Sequence, residues 1–113
     1  MNKNSLYQHL EYNADKPAVK VILESDFTKE IRILFKENQI MKEHQTPFPI
    51  VVEIVEGEIL FGVEGKSHLL QKGDLISLSG SVPHDLKALS NSMVRLTLAK
   101  KDHSSRVQKV ANQ

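Results

Sequence analysis

The sequence predicts an all-β fold, a sandwich or barrel of about eight or nine short strands. Three observations lead there. Apolar and polar residues alternate at period two in residues 27–36 and 91–99, the mark of strands with one face in a core. Glycine, asparagine and aspartate punctuate the chain about every eight to twelve residues, the spacing of strand turns. Between these turns lie short runs of Ile, Val, Leu and Phe, too short for helices and rich in β-formers.

Taken in order, residues 4–13 carry Leu6, Tyr7 and Leu10 at spacings that allow a helical turn or two, ended by Pro17. Residues 18–23 are continuous and β-branched, and read as a buried strand. After the Ser25-Asp26 turn, Ile31, Ile33 and Phe35 share one face against Glu30, Arg32 and Lys36, with Leu34 breaking the polar side. Glu37-Asn38-Gln39 is a turn. Thr46-Pro47-Phe48-Pro49 is an extended loop, because two prolines exclude it from a sheet interior. Residues 50–55 and 59–63 are strands joined at Glu56-Gly57-Glu58. Glu64-Gly65-Lys66 and residues 71–74 are further turns, and residues 75–78 the next strand. The expected core comprises Ile31, Ile33, Phe35, Val52, Ile54, Leu60, Leu78, Val94, Leu96 and Leu98. One domain is expected over residues 1–113, its barrel spanning about residues 18–99, with a polar tail from Lys100 that is a short helix or disordered.

Composition narrows the function. A chain of 113 residues is one domain with a modest core. A formal net charge of +1 gives no field that would draw nucleic acid, and Lys100-Lys101 is a solvated pair without further basic clusters. There is no cysteine, which excludes disulfides, thiolate metal sites and a cysteine nucleophile. No tryptophan is present to form a sugar or base platform. The polar N-terminus and the lack of a long apolar run lead to the expectation of a soluble cytoplasmic protein with no membrane partner.

The stretch from Met41 to Leu86 carries the chemistry. His44 and His84 bracket four strands and would face one interior if those strands fold back on one another. Here the sequence resembles the cupins, double-stranded β-helices of the jelly-roll type. Their first motif is His-x-His, three or four residues, Glu, six residues, Gly. Gly57 in Val55-Glu56-Gly57-Glu58 fits its end. Their second motif is Gly, five residues, Pro-x-Gly, two residues, His; Gly73-Asp74 and Val82-Pro83-His84 fit its start and end. The resemblance covers roughly residues 30–98 and implies a cupin-type jelly-roll barrel. It places His44 and His84 at two metal-ligand positions, but Thr46 where a second histidine belongs and Ile50 where the glutamate belongs. Glu53, three residues past Ile50, alternates to the opposite face.

A catalytic divalent metal usually has three protein ligands and open positions for water or substrate. Two imidazoles alone bind Zn, Ni, Cu or Fe weakly. Two readings therefore stay open, a weak two-histidine metal site and a metal-free pocket. Ile50 makes the mouth of such a pocket drier, and Gln39, Met41, His44, Thr46, Phe48, Ile50 and His84 are the candidate ligand-binding residues. No catalytic residue can be named. The leading expectation is a small-ligand-binding module; the alternative is a metal-dependent oxygenase or isomerase acting on a small organic substrate. His9, His68 and His103 read as solvated. Ser79 and Ser81 occupy the motif's Pro and Gly positions, with Gly80 expected to supply the φ freedom that Ser81 lacks. The resemblance also implies a homodimer, formed through surfaces such as Val51, Val55 and the apolar strand at residues 18–23. Sedimentation equilibrium is expected to give twice the 12.8 kDa chain mass; a concentration-independent monomer would count against it.

Overall fold

The computed structural model describes residues 1–100; the expected tail, residues 100–113, lies outside them apart from Lys100. Among the described residues there are nine strands and no helix: β1 (Ala18–Glu24), β2 (Thr28–Phe35), β3 (Ile40–His44), β4 (Ile50–Glu56), β5 (Glu58–Val63), β6 (Lys66–Gln71), β7 (Leu75–Leu78), β8 (His84–Ala88) and β9 (Ser92–Ala99). They form two antiparallel sheets, ordered β1-β2-β9-β4-β7 and β3-β8-β5-β6. The hydrogen-bonded ladders do not join, so the jelly roll is a pair of facing sheets rather than a closed cylinder. No helix among the described residues is long and apolar enough to cross a membrane.

Strand alternation turns one side chain in two inward, and these rows make the core. Ile33 and Phe35 come from β2, Ile50, Val52 and Ile54 from β4, Ile59 and Phe61 from β5, Leu86 and Ala88 from β8, and Val94 from β9. Ile31, Leu78, Leu96 and Leu98 pack against them, half-buried. Of the expected core, Leu60 is misplaced. It lies on the outer face of β5 while Ile59 and Phe61 point inward. Residues 58–63 are apolar on both faces, so their phase cannot be read from periodicity.

Gly57 is where the chain leaves β4 for β5 and so passes from one sheet to the other. Its φ is +86°, and a Cβ there would overlap the Ser92 side chain and the Asn91 carbonyl. Ser92 is fully buried and spans the same corner, its hydroxyl accepting from Glu58 N at 3.1 Å and donating to Ser90 O at 2.8 Å. The β5–β6 hairpin closes through Glu64 and Gly65, both at positive φ, as a two-residue turn requires.

The N-terminal segment departs from expectation. Residues 4–13 form turns and bends rather than a helix, and lie as a strap over the outer face of the first sheet. The buried Arg32 explains the change. Its Nη1 donates to the carbonyls of Leu6 (2.9 Å) and Gln8 (2.8 Å), and its Nη2 to that of His9 (3.2 Å), so these carbonyls are spent on a side chain rather than on helical N–H groups. Asn4 Nδ2 donates to Ile22 O, and the Tyr7 hydroxyl to Glu56, which raises the phenol above its ordinary value. Leu34 and Met93, register partners on that outer face, are both buried.

β1 is not the buried strand that its composition suggests. It is an edge, and Val19 and Val21 are 57% and 47% exposed. Lys20 interrupts the apolar run, and at the sheet edge Val19, Lys20 and Val21 are all left exposed. Gly57→Ala is expected to cost more than about 2 kcal/mol, from the left-handed φ and the collision with Ser92 together. A urea midpoint unchanged from wild type would contradict that account of the corner.

Candidate functional site

β3 and β8 are antiparallel neighbours, and their last matched pair is His44 opposite His84. The register from Met41–Leu86 to His44–His84 advances three residues on β3 but two on β8, so β3 carries a bulge. That extra residue decides the site. Met41 packs toward the core, and unbroken alternation would turn His44 away from it; the bulge brings His44 back to the inner face beside His84.

The two imidazoles lie with ring centroids 4.4 Å apart, tilted by 59°. His84 is 3% exposed and stacks on Phe61 at 5.6 Å and 11°, while His44 is half-buried. Each ring is held by a carbonyl two residues earlier in the chain. His44 Nδ1 donates to Lys42 O at 2.7 Å, and His84 Nδ1 to Val82 O at 2.9 Å. A carbonyl can only accept, so each Nδ1 carries the proton when the ring is neutral. Both Nε2 atoms then keep a free lone pair. Burial of His84 is tolerable on the same ground, because its donor is paired and its ring is packed.

The structure brings some of the expected residues to this end of the fold and leaves others apart. Thr46 and Phe48 lie in the loop that follows β3. The Thr46 hydroxyl donates to Phe48 O at 3.0 Å, and Ser81 N donates to Thr46 O at 2.6 Å, tying that loop to the one before β8. Gly80 has no Cβ because it packs against the Pro47 carbonyl, and Ser81 itself takes the left-handed φ of +64°. The expected division of labour between these two residues is therefore reversed. Ile50 is buried in the core row of β4, opposite Leu78 and Leu98, and also lines an apolar cleft of about 310 Å³ with Val51, Leu78 and Thr97. Met41 is a packing residue. Gln39 does not join the group: it precedes β3, at the end of the strand opposite His44, and its amide serves Lys36 N and Asn13 O.

Glu53 lies outside, ion-paired with Arg95 at 3.0 Å, as alternation requires. Asp85, next to His84, crowds Gly62 on the other face. Among the described residues no third His, Cys, Asp or Glu joins the two histidines in a group able to hold a metal. The donor set thus does not fit a firmly held catalytic ion. Phe61, and Val63 opposite His84 in the β5–β8 register, border the site without having been expected there. Their signal was faint, since fixing the phase of β5 requires knowing that Gly57 turns the chain into a second sheet.

No family model matches the sequence, and no curated protein matches it either. Solved structures do. An RmlC-like cupin protein from Desulfovibrio desulfuricans superposes with a TM-score of 0.80 at 22% identity, over 88% of this chain and 96% of that one. A conserved protein with a double-stranded β-helix domain from Klebsiella pneumoniae gives 0.77 at 15%, over 88% and 89%. An RmlC-like cupin from Shewanella frigidimarina gives 0.75 at 18%, over 90% and 96%. The chain is a small domain with the cupin fold. At these identities the likeness is one of fold.

The carbonyl bonds to both Nδ1 atoms carry a spectroscopic consequence. At about pH 8.5, where an ordinary imidazole is neutral, long-range ¹⁵N–¹H correlation is expected to show His44 and His84 as Nδ1–H tautomers. The exposed His68 is the internal control, expected mainly as the Nε2–H tautomer. Nε2–H signals from His44 and His84 would refute the site geometry.

Proposed function

We propose that the protein is a soluble, cytoplasmic binding module that takes a small organic ligand at the open end of the jelly roll, beside His44 and His84. The observation that carries this reading is the pair of neighbouring imidazoles whose Nδ1 atoms are tied to the backbone, leaving two Nε2 acceptors on one inner face. An apolar surround of Phe61 and Val63 with a few convergent polar atoms is the usual form of a small-molecule site. The ligand that suits it offers two hydrogen-bond donors, as a diol or an amide does. Dimerisation through exposed apolar residues of the first sheet is part of the same proposal, supported by Val19, Val21, Val51 and Leu75.

The metal-dependent alternative, an oxygenase or isomerase, would need a ligand set that these residues do not complete. The same Nε2 pair would nevertheless hold an added divalent ion weakly, with zinc, nickel and copper suiting imidazole donors. Ile50, buried and hydrocarbon, contributes nothing to such an ion.

Calorimetric titration with Zn(II) and Ni(II) tests the assignment. Wild-type protein is expected to bind one ion per chain weakly, His84→Ala to lose that binding, and Ile50→Glu to tighten it at a cost of about 2–4 kcal/mol in metal-free stability. Unchanged affinity in His84→Ala would show that the two histidines do not act together. Native mass spectrometry of freshly purified protein then reports any co-purified organic ligand, and its loss from His84→Ala would place the ligand at this site.

A further inference from the structure

Away from the histidines, the strap and the first sheet border an open pocket of about 420 Å³. Its lining includes His9, Glu11, Lys20 and Arg32. Among the described residues, Arg32, 3% exposed, has no carboxylate within ion-pair distance, and its buried Nε has no hydrogen-bond partner. A guanidinium offers five N–H donors. Nη1 spends both of its own on Leu6 O and Gln8 O, and Nη2 spends one on His9 O. The Nε–H and one Nη2–H are left over.

The neighbours sharpen the anomaly. In the antiparallel register Lys20 stands directly opposite Arg32, and Arg32 directly opposite Arg95. Like charges so placed repel. Arg95 is answered by Glu30 and Glu53. Lys20 and Arg32 are answered by nothing among the described residues, since Glu11 reaches neither within ion-pair distance. An unpaired N–H of a buried cation costs more than a neutral one, and such a group in a native fold calls for an explanation.

We propose that this cavity is an oxyanion site, which takes the carboxylate or phosphate group of a small molecule between Lys20 and the unpaired donors of Arg32. A guanidinium binds planar oxyanions by two parallel N–H bonds, and the two vacant donors of Arg32 are the number needed. Nε itself is shut off from solvent, so the anion displaces part of the lining as it enters. The strap is the part able to shift, because its bonds to Arg32 are made by neutral carbonyls, while Asn4, Tyr7 and Asn13 tether it elsewhere to Ile22 O, Glu56 and Gln39. Glu11, on the cavity wall, opposes the anion and weakens the site. This site is separate from the histidine pair and does not depend on how that pair functions.

The test uses the full chain, sodium phosphate and sodium acetate as probes, and sodium chloride at matched ionic strength as the control. The Arg32 Nε–H resonance is followed by ¹⁵N–¹H correlation. Phosphate, acetate or both should move it saturably, and the more effective probe identifies the oxyanion. Lys20→Ala, a change at an exposed position, is expected to weaken binding about tenfold. Glu11→Gln, also exposed, is expected to tighten it about threefold, which a purely structural strap would not do. His84→Ala should leave the response intact. No saturable shift with either probe beyond that of chloride, or equal affinity in wild type, Lys20→Ala and Glu11→Gln, would overturn the proposal.

Discussion

The two sheets share no ladder of hydrogen bonds, so what holds them face to face is the layer of side chains between them. Every other constraint follows from that. The inner rows of β2, β4, β5, β8 and β9 must be apolar and must meet in phase, and the chain must cross between sheets without disturbing them. The crossing at Gly57 is tight enough to exclude a side chain, and the buried Ser92 hydroxyl satisfies the backbone at that corner. The candidate site is the place where the inner row of β8 changes character, from Ala88 and Leu86 to His84 at the start of the strand.

Much of this was legible in the sequence, for a physical reason. Where one face of a strand is polar, period two declares the other, as it does for Ile33, Phe35 and Val94; in β4 only Glu53 marks the outer face, and Val52 and Ile54 alternate with it. Where both faces are apolar, as in Glu58–Val63, the pattern holds no phase, and Leu60 reads as well for the core as Ile59 and Phe61, which occupy it. The bulge in β3 was invisible altogether. It is a single extra residue in a mixed run, Ile40–His44, and only the pairing with β8 reveals it. The convergence of His44 with His84 was thus anticipated from the resemblance of the motifs, not from the alternation of the strand. The strap leaves no local signal for a different reason. Its conformation is dictated by Arg32, a residue more than twenty positions away, and a local reading gives carbonyls no reason to seek a distant guanidinium.

Two kinds of buried nitrogen are treated in opposite ways. At His84 the fold supplies a carbonyl for the donor nitrogen and leaves a neutral acceptor free, an arrangement stable without any ligand. At Arg32 the fold buries a permanent cation and supplies three carbonyl partners, yet leaves Nε unpaired and a second cation directly alongside. A neutral imidazole can wait for a ligand at little cost. A guanidinium short of partners cannot be neutralised by losing its proton, so the imbalance persists until something else answers it.

The strap also gives the molecule a built-in optical label. The chain has two tyrosines and no tryptophan. Both tyrosines, Tyr7 and Tyr12, belong to the strap, and the phenylalanines of the core scarcely emit. Intrinsic fluorescence therefore watches the segment laid over Arg32 and is nearly blind to the two sheets, whereas the amide signal in the far ultraviolet watches the sheets and is nearly blind to the strap. Release of the strap and collapse of the jelly roll would appear in separate channels of an ordinary spectrometer, with no label added.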